Sequence, residues 1–558
     1  MTATIAAPFA HGDFLGHPKG VYICFFTEMW ERFSFYGMKA LLLLYLTKYH
    51  LFGDTGGLNL LGAYGGLVYC LPVRGGLLAD RYLGMRKAVV FGGVLLCLGH
   101  FGMAYEGSPA TMVGGVVVRD TSALWVFYSS LALIIMGVGF LKPNISVIVG
   151  KLYADNDPRR DSGFSLFYAG INLGALFASL VCGVLGETYG WKYGFGAAGL
   201  GMLAGLGMFL WGQKYLDGHA EPPAPELLRE RVFGIDRERA IYLGALLGLA
   251  PIAGLMWATG NNAFTLDIGF DLTLAQMLML LVLGIVLVWF VFFVLRSCTR
   301  VERHQMITLM VLIFMALVFF TLYEQSYGSW VVFTDRMLTK DFFPSLIIEG
   351  GLPLWYFVVP VLLMPVSFVV ANAIQERSPG SKLPLLVFLA GAFVALLMVL
   401  GMAVLQRQTG GSLTFLGALF ILLLAPLFGG LWGWLEALGL NPSKPMNRGI
   451  GLVIGIGEMC LSPVGLSAVT QLSVRRVASL MMGTWFLATA FSEMLAAKLA
   501  TLASIEDAGE LAQHSAGWVD AAAKYEGLFW NLTWAGLALA ALALLAVPLL
   551  KRGMHGVK

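Results

Sequence analysis

Phe26-Thr27-Glu28-Met29-Trp30-Glu31-Arg32-Phe33 sets two glutamates and an arginine inside an apolar stretch that runs from Gly20 to Lys48. Apart from those charges, the stretch reads as a bilayer-spanning helix, which takes about 20 apolar residues. A charge at the bilayer centre costs roughly 2.5–3.5 kcal/mol on insertion scales. Three charges within the five residues Glu28 to Arg32 therefore face a bundle interior or a water-filled path. They must also largely neutralise one another.

The rest of the chain is built for lipid. Of 558 residues, 58% are hydrophobic and 12% charged, where soluble domains carry about 25% charged residues. The net charge of +3 is too small to suggest nucleic acid, and the basic residues gather at helix ends, as the positive-inside rule expects. Cys24, Cys70, Cys97, Cys182, Cys298 and Cys460 are scattered without metal or CxxC spacing, so they read as small core residues. No basic-then-apolar pattern precedes Phe14, and no cleaved signal is expected.

Apolar spans recur near 20–48, 59–79, 87–106, 123–150, 162–186 and 191–215. A polar linker runs from Asp217 to Arg239, followed by two strongly apolar spans near 240–260 and 274–296. Further spans fall near 304–334, 352–375, 383–405, 412–435, 449–471, 477–503 and 525–550. With no barrel alternation visible, helices are the only way across. Arg81, Arg86 and Lys87; Lys151, Arg159 and Arg160; Arg296, Arg300 and Arg303; and Lys551, Arg552 and Lys558 all fall on one side if both termini are cytoplasmic. The acidic loop with Glu506, Asp507, Glu510 and Asp520 then falls outside. Lys444 with Arg448 and Arg475 with Arg476 should share the cytoplasmic side, yet one span, 449–471, separates them. A helix is one crossing short near Gly451–Gly457, or a span elsewhere is re-entrant.

At about 100° per residue, Glu28, Glu31, Arg32, Phe35, Tyr36 and Lys39 share one stripe of the first helix. The plain reading is a buried ion pair that locks the bundle. The functional reading is a carboxylate that takes and releases a proton. Burial and a neighbouring arginine pull its proton affinity in opposite directions, and a bound substrate shifts that balance. Intramembrane ionisable residues favour the functional reading.

Gly76-Leu77-Leu78-Ala79-Asp80-Arg81-Tyr82-Leu83-Gly84-Met85-Arg86-Lys87 joins the second and third spans. Its glycines allow a tight turn, and Asp80 with Arg81 and Arg86 can form ion pairs that a rocking motion breaks. The run resembles the loop signature of the major facilitator superfamily. Glu28-x-x-Glu31-Arg32-Phe33, Gly139-Phe140-Leu141-Lys142-Pro143-Asn144, Phe167-Tyr168-x-x-Ile171-Asn172-Leu173-Gly174 and Gly457-Glu458-Met459-Cys460-Leu461-Ser462-Pro463-Val464-Gly465 follow one another in order. With Glu324-Gln325 and Met482-Gly483-Thr484-Trp485-Phe486, the chain resembles the proton-dependent oligopeptide transporter family.

That resemblance implies an all-α polytopic membrane protein of major facilitator fold. Residues 1–216 would form one six-helix bundle, 217–300 a linker with an extra helical pair, and 301–558 a second bundle with inserted spans near 352–405. Glu28, Glu31, Arg32 and Glu324 would couple protons. Lys142 would bind a peptide carboxylate and pair with Glu324 when the site is empty, while Glu458 would hold the peptide's amine. Tyr36, Lys39, Tyr69, Asn172 and Trp485 would line the pocket, and Asp80, Arg81 and Arg86 would form a gating loop. Bland readings stand beside these: Lys142 as a helix C-cap before Pro143, Asn172 and Tyr69 as interhelical bridges, Trp485 as core packing. Arg74 either snorkels to the cytoplasmic face or joins a gate.

The chain also departs from the family pattern. Phe35 stands where a tyrosine is common, and Lys39 where an arginine is usual. Lysine is a poorer bidentate clamp for one carboxylate. The family's eighth helix best matches Leu416 to Leu427, which puts Gly417 at a usual asparagine and leaves 352–375 and 383–405 as insertions. The expected protein is a proton-coupled importer of di- and tripeptides in a bacterial inner membrane, both termini cytoplasmic, working as a monomer with protons as coupling ion and no other cofactor. Rival readings are another solute, such as a peptide-like compound or nitrate, and a non-transporting receptor or scaffold. No nucleophile elbow, metal cluster or P-loop points to an enzyme.

Overall fold

The computed structural model describes residues 12–154, 157, 159–268, 271–338, 341, 343–378, 380–423, 468–469, 471–474, 477–504 and 515–555. Helices α1 (Lys19–Leu44), α2 (Asp54–Leu83), α3 (Met85–Met103), α4 (Thr121–Lys151), α5 (Ser162–Tyr189) and α6 (Trp191–Leu216) make the N-terminal half. Next come α7 (Arg237–Gly260), α8 (Leu274–Ser297), α9 (Arg300–Met337), α10 (Leu354–Arg377), α11 (Leu383–Leu405) and a short α12 (Ser412–Leu423). The last two are α13 (Leu480–Ala503) and α14 (Asp520–Gly553). Among the described residues, 12 helices are long and apolar enough to cross a membrane. The chain is an all-α polytopic membrane protein. Its strands, among those residues, are four two-stranded hairpins in the connections, where backbone groups have water to turn to.

Local chemistry sets the helix limits. Asp120 caps α4 by accepting from Ser122 N and Ala123 N, both at 3.1 Å, and it also accepts from Ser108 N. Together with the Ser122 hydroxyl, these donors hold its carboxyl down to about 2 from the usual 3.8. Pro143 sits inside α4. A proline there removes one backbone bond, which neighbouring helices make tolerable inside a membrane bundle.

Helix α1 is buried on nearly every side and packs chiefly on α5 and α6. The two halves meet closely where α2 lies on α13. A Cβ at Gly62 would stand 2.6 Å from the Ala497 Cβ, and one at Gly66 3.0 Å from the Met494 sulfur. Small residues let two backbones approach when lipid supplies no hydrophobic drive. Helix α7 lies against α4 and α2, with Trp257 stacked on Trp125 at 6.1 Å. Helix α8 ties to α2 through Gln276, whose amide donates to Asn59 at 3.3 Å.

The hairpin α10–α11 packs differently from its expected grouping with the C-terminal bundle. Phe368 meets Phe14, Tyr22 and Phe26 at 5.2, 5.4 and 5.1 Å. Asn372 donates to the Tyr215 hydroxyl at 3.1 Å, and Lys19 reaches Glu376 at 3.1 Å. These contacts dock the hairpin on α1 and α6, in the N-terminal half.

Arg81, Arg86 and Lys87 mark the basic end of the bundle. Gly411 lies at the far end, where its N–H donates to Glu187 at 2.8 Å. Helix α13 finishes at that same far end, where Thr55 donates to Ser504 at 3.3 Å, so α13 begins at the basic end. The chain thus leaves Gly411 and re-enters α13 on opposite sides. The readings placed on Lys444, Arg448, Glu458, Cys460, Arg475 and Arg476 lie outside the described residues.

Overpacking the α2–α13 contact should destabilise the fold by about 1–3 kcal/mol. We expect Gly62→Leu to lower the thermal unfolding temperature in detergent. Gly207→Ala, where a Cβ meets nothing within 4 Å, should leave that temperature unchanged or raise it. Equal temperatures for wild type and Gly62→Leu would remove this contact from the account.

Candidate functional site

The polar stripe of α1 supplies two charge clusters. In the first, the Arg32 guanidinium forks onto Glu31, with Nη2 donating to Oε1 at 2.7 Å and Nε to Oε2. Its Nε also lies 3.3 Å from Glu28 Oε1. The guanidinium faces the rings of Phe35 and Tyr36 at 4.9 and 5.8 Å. Phe35 therefore keeps the cation–π face that a tyrosine would offer. Glu28, Glu31 and Arg32 are all buried, with Glu28 Oε2 left without a hydrogen-bond partner among the described residues.

Two turns on, Lys39 forms the second cluster. Its Nζ donates to Glu324 Oε2 on α9 and to Glu493 Oε1 on α13, each at 2.7 Å. The Tyr327 ring lies 4.7 Å from the same ammonium, and Tyr36 stacks on Tyr327 at 5.7 Å. One lysine thus bridges the N-terminal half to two helices of the C-terminal half. The compact ammonium has three rotatable donors, enough to serve both carboxyls.

Lys142 was expected to pair with Glu324; the cation found on Glu324 is Lys39. Lys142 projects from α4 and lies 3.8 Å from the centre of the Tyr69 ring. Among the described residues no carboxylate comes within ion-pair distance of it, although both clusters lie in its field. The reason is position along the bundle: Lys39 sits where α1 passes α9 and α13, and Lys142 sits nearer the basic end. Lys142, Tyr69 and Tyr36 are half-buried, while Lys39 is 1% exposed.

Other expected residues take quieter places. Asn172 is buried and donates to Tyr168 O, one turn back on its own helix, at 3.1 Å. Trp485 is buried in a core shared by α9, α13 and α14. Arg86 does not pair with Asp80; it forks onto Glu221 of the linker at 2.5 and 2.9 Å. Lys87 holds Glu238 at 2.7 Å. Asp80 and Arg81 are exposed, with Arg81 lying over Tyr82. The loop is tied to the linker because the linker's acids reach it from outside, a tertiary placement that the loop's own charges do not disclose.

Two sets of charged side chains were not anticipated. Glu493 lies inside the apolar span 477–503, so the argument that flags Glu28 applies to it equally. The motif Met482 to Phe486 merely ends before it. The second set clasps the two halves at the far end. Arg336 on α9 forks onto Asp54 of α2 at 2.7 and 2.8 Å, and Lys48 reaches Asp335 at 2.6 Å. Glu187 lies 3.5 Å from Lys48 and accepts from Gly411 N. These residues sit at span ends, where charge is ordinary, so only geometry reveals the clasp.

The Arg336–Asp54 fork is largely buried, with side-chain exposures of 17% and 3%. A double-mutant cycle with Asp54→Asn and Arg336→Gln should give a coupling of about 1.5–3 kcal/mol, the range for hydrogen bonds to charged groups. Additive effects on thermal stability would mean that the fork does not hold the halves together.

A profile described as POT family matches residues 86–514. An uncharacterized transporter named YclF, of Bacillus subtilis, is 33% identical over 506 residues, covering 88% of this chain and 89% of the relative. A protein named di-/tripeptide transporter, of Lactococcus lactis subsp. cremoris, is 31% identical over 507 residues, covering 87% and 90%. Among solved structures, a peptide transporter POT in complex with sulfate is 27% identical, covers 98% of both chains and superposes with a TM-score of 0.69.

Proposed function

The chain belongs to the POT family, and from that premise we propose that it imports di- and tripeptides together with protons by alternating access around the α1 stripe. One observation carries this reading. Lys39 spans the two halves between paired carboxyls, while Lys142 presents a half-buried ammonium without a carboxylate of its own among the described residues. A peptide's carboxylate supplies what Lys142 lacks. Its amine needs an anionic pole, the part that the motif Gly457 to Gly465 assigns to Glu458. The name di-/tripeptide transporter borne by the Lactococcus lactis relative supports the same substrate class.

Alternating access follows from the charges. With the far end clasped by Arg336–Asp54 and Lys48–Asp335, the cluster at Lys39 closes the path just behind the clasp. Separating the halves there strips Lys39 from both carboxyls, which then take up protons or water in its place. The basic end is cytoplasmic by the positive-inside rule, so the far end opens outward and both termini are inside. The protein works as a monomer in a bacterial inner membrane, with protons as coupling ion and no other cofactor, and performs no covalent chemistry. Nitrate is the weaker substrate, because Glu458 would repel it.

Proteoliposomes holding the purified protein should accumulate labelled dialanine only when the outside is made acidic. Lys142→Gln should lower the affinity for dialanine at least tenfold, and Glu458→Ala should do the same. Accumulation that ignores an imposed pH gradient in the wild type would rule out proton coupling. Unaltered affinity in Lys142→Gln would rule out its place at the peptide carboxylate.

A further inference from the structure

Lys39 is one cation between two acids. Its two 2.7 Å hydrogen bonds go to Glu324 and Glu493, and the three side chains are 1%, 7% and 3% exposed. If both carboxyls were ionised, the trio would keep an unbalanced negative charge in a water-poor site. Such an isolated charge is costly, and the site neutralises itself where it can.

The surroundings of Glu493 are built to hold its carboxyl. A Cβ at position 65 would lie 2.6 Å from Glu493 Oε2, so Gly65 is what allows the carboxyl to rest against the α2 backbone. The titratable groups around it are Lys39 on α1, Tyr64 and Tyr69 on α2, Lys142 on α4 and Glu324 on α9. The Tyr64 hydroxyl is fully buried and has no hydrogen-bond partner among the described residues. Of the two cations, only Lys39 touches Glu493, and it is shared. Lys142 lies over Tyr69.

We infer that Glu493 is a second proton-carrying residue of the transport cycle: Glu324 and Glu493 hold one proton between them while Lys39 bridges them, and each holds its own when the halves part at the far end. This rests on the symport reading above. Two carboxyls that share one ammonium in a buried site exchange protons as a pair rather than singly. The second proton enters from the outer solution as Lys39 withdraws. It leaves toward the cytoplasm as the ammonium returns and again balances one carboxylate. Lys39 and the extra acid are then one device, because its one ammonium donates to both carboxyls.

The test is the proton-to-peptide ratio, read in proteoliposomes from the membrane voltage at which net flux of labelled dialanine reverses. Either acid alone can pass from ionised beside Lys39 to protonated when the halves part, so Glu324→Gln should keep the wild-type ratio. Glu324→Gln combined with Glu493→Gln should move one proton fewer, while still exchanging labelled for unlabelled dialanine across the membrane. Such exchange needs no net proton movement, and the amide imitates the protonated acid. Glu493→Ala stands in for the second substitution should the glutamine form not fold. A ratio already lowered in Glu324→Gln alone, or unchanged in the double variant, overturns the inference and leaves symport intact. Loss of exchange as well as net uptake in both neutral variants also overturns it, since a brace rather than a proton carrier is indispensable to exchange. No gradient-driven uptake by the wild type would overturn symport itself, and the inference with it.

Discussion

The ammonium of Lys39, held between two carboxyls that belong to the opposite half of the molecule, is the interaction on which the rest depends. In water such a bridge contributes little. In a site where Lys39 is 1% exposed, neither the cation nor the acids can separate without a new partner, a proton or water. The bridge is thereby bistable: made and neutralised by the lysine, or broken and neutralised by protons. The remaining features serve this choice. Glycines on α2 bring α13 close enough to deliver Glu493, the break at Glu324–Ser326 ends the long first part of α9 at the acid, and the far-end clasp adds contacts that must open with the bridge.

The Arg32 cluster has a different character. Glu28, Glu31 and Arg32 all lie on α1, so their pairing need not change when the halves move. Its guanidinium is held by a fork and two aromatic faces, which suits a fixed charge. The mobile charge lies two turns farther on. Separating a rigid cluster from a cross-half bridge on one helix lets α1 act as the axis to which both the N-terminal bundle and the α10–α11 hairpin are fastened.

Much of this was legible before the structure. Charges in an apolar run announce an internal site, so Glu28, Glu31, Arg32 and Lys39 could be named and placed on one stripe from helix geometry alone. Glu493 was equally legible by that rule and went unnoticed, because the matching motif stops at Phe486. The partner of Glu324 was not legible. Lys39 and Lys142 are both intramembrane cations, and choosing between them requires knowing which helices cross at which depth. Nor was the docking of α10 and α11: a helix apolar on every face carries no direction in its sequence, and its neighbour is decided by shape, here by Phe368 among Phe14, Tyr22 and Phe26. Arg86 met Glu221 rather than Asp80 for a similar reason, since linker register is a tertiary matter.

The central claim is that protonation of the Lys39 bridge and opening of the far end are one event. Spin labels at Thr121 and Leu502, exposed positions at the far ends of α4 and α13, would report it in a background with the native cysteines replaced. Double electron–electron resonance should show the distance distribution shifting to longer separations as the pH is lowered from neutral. A distribution that stays unchanged over that range in the otherwise wild-type protein would contradict the account.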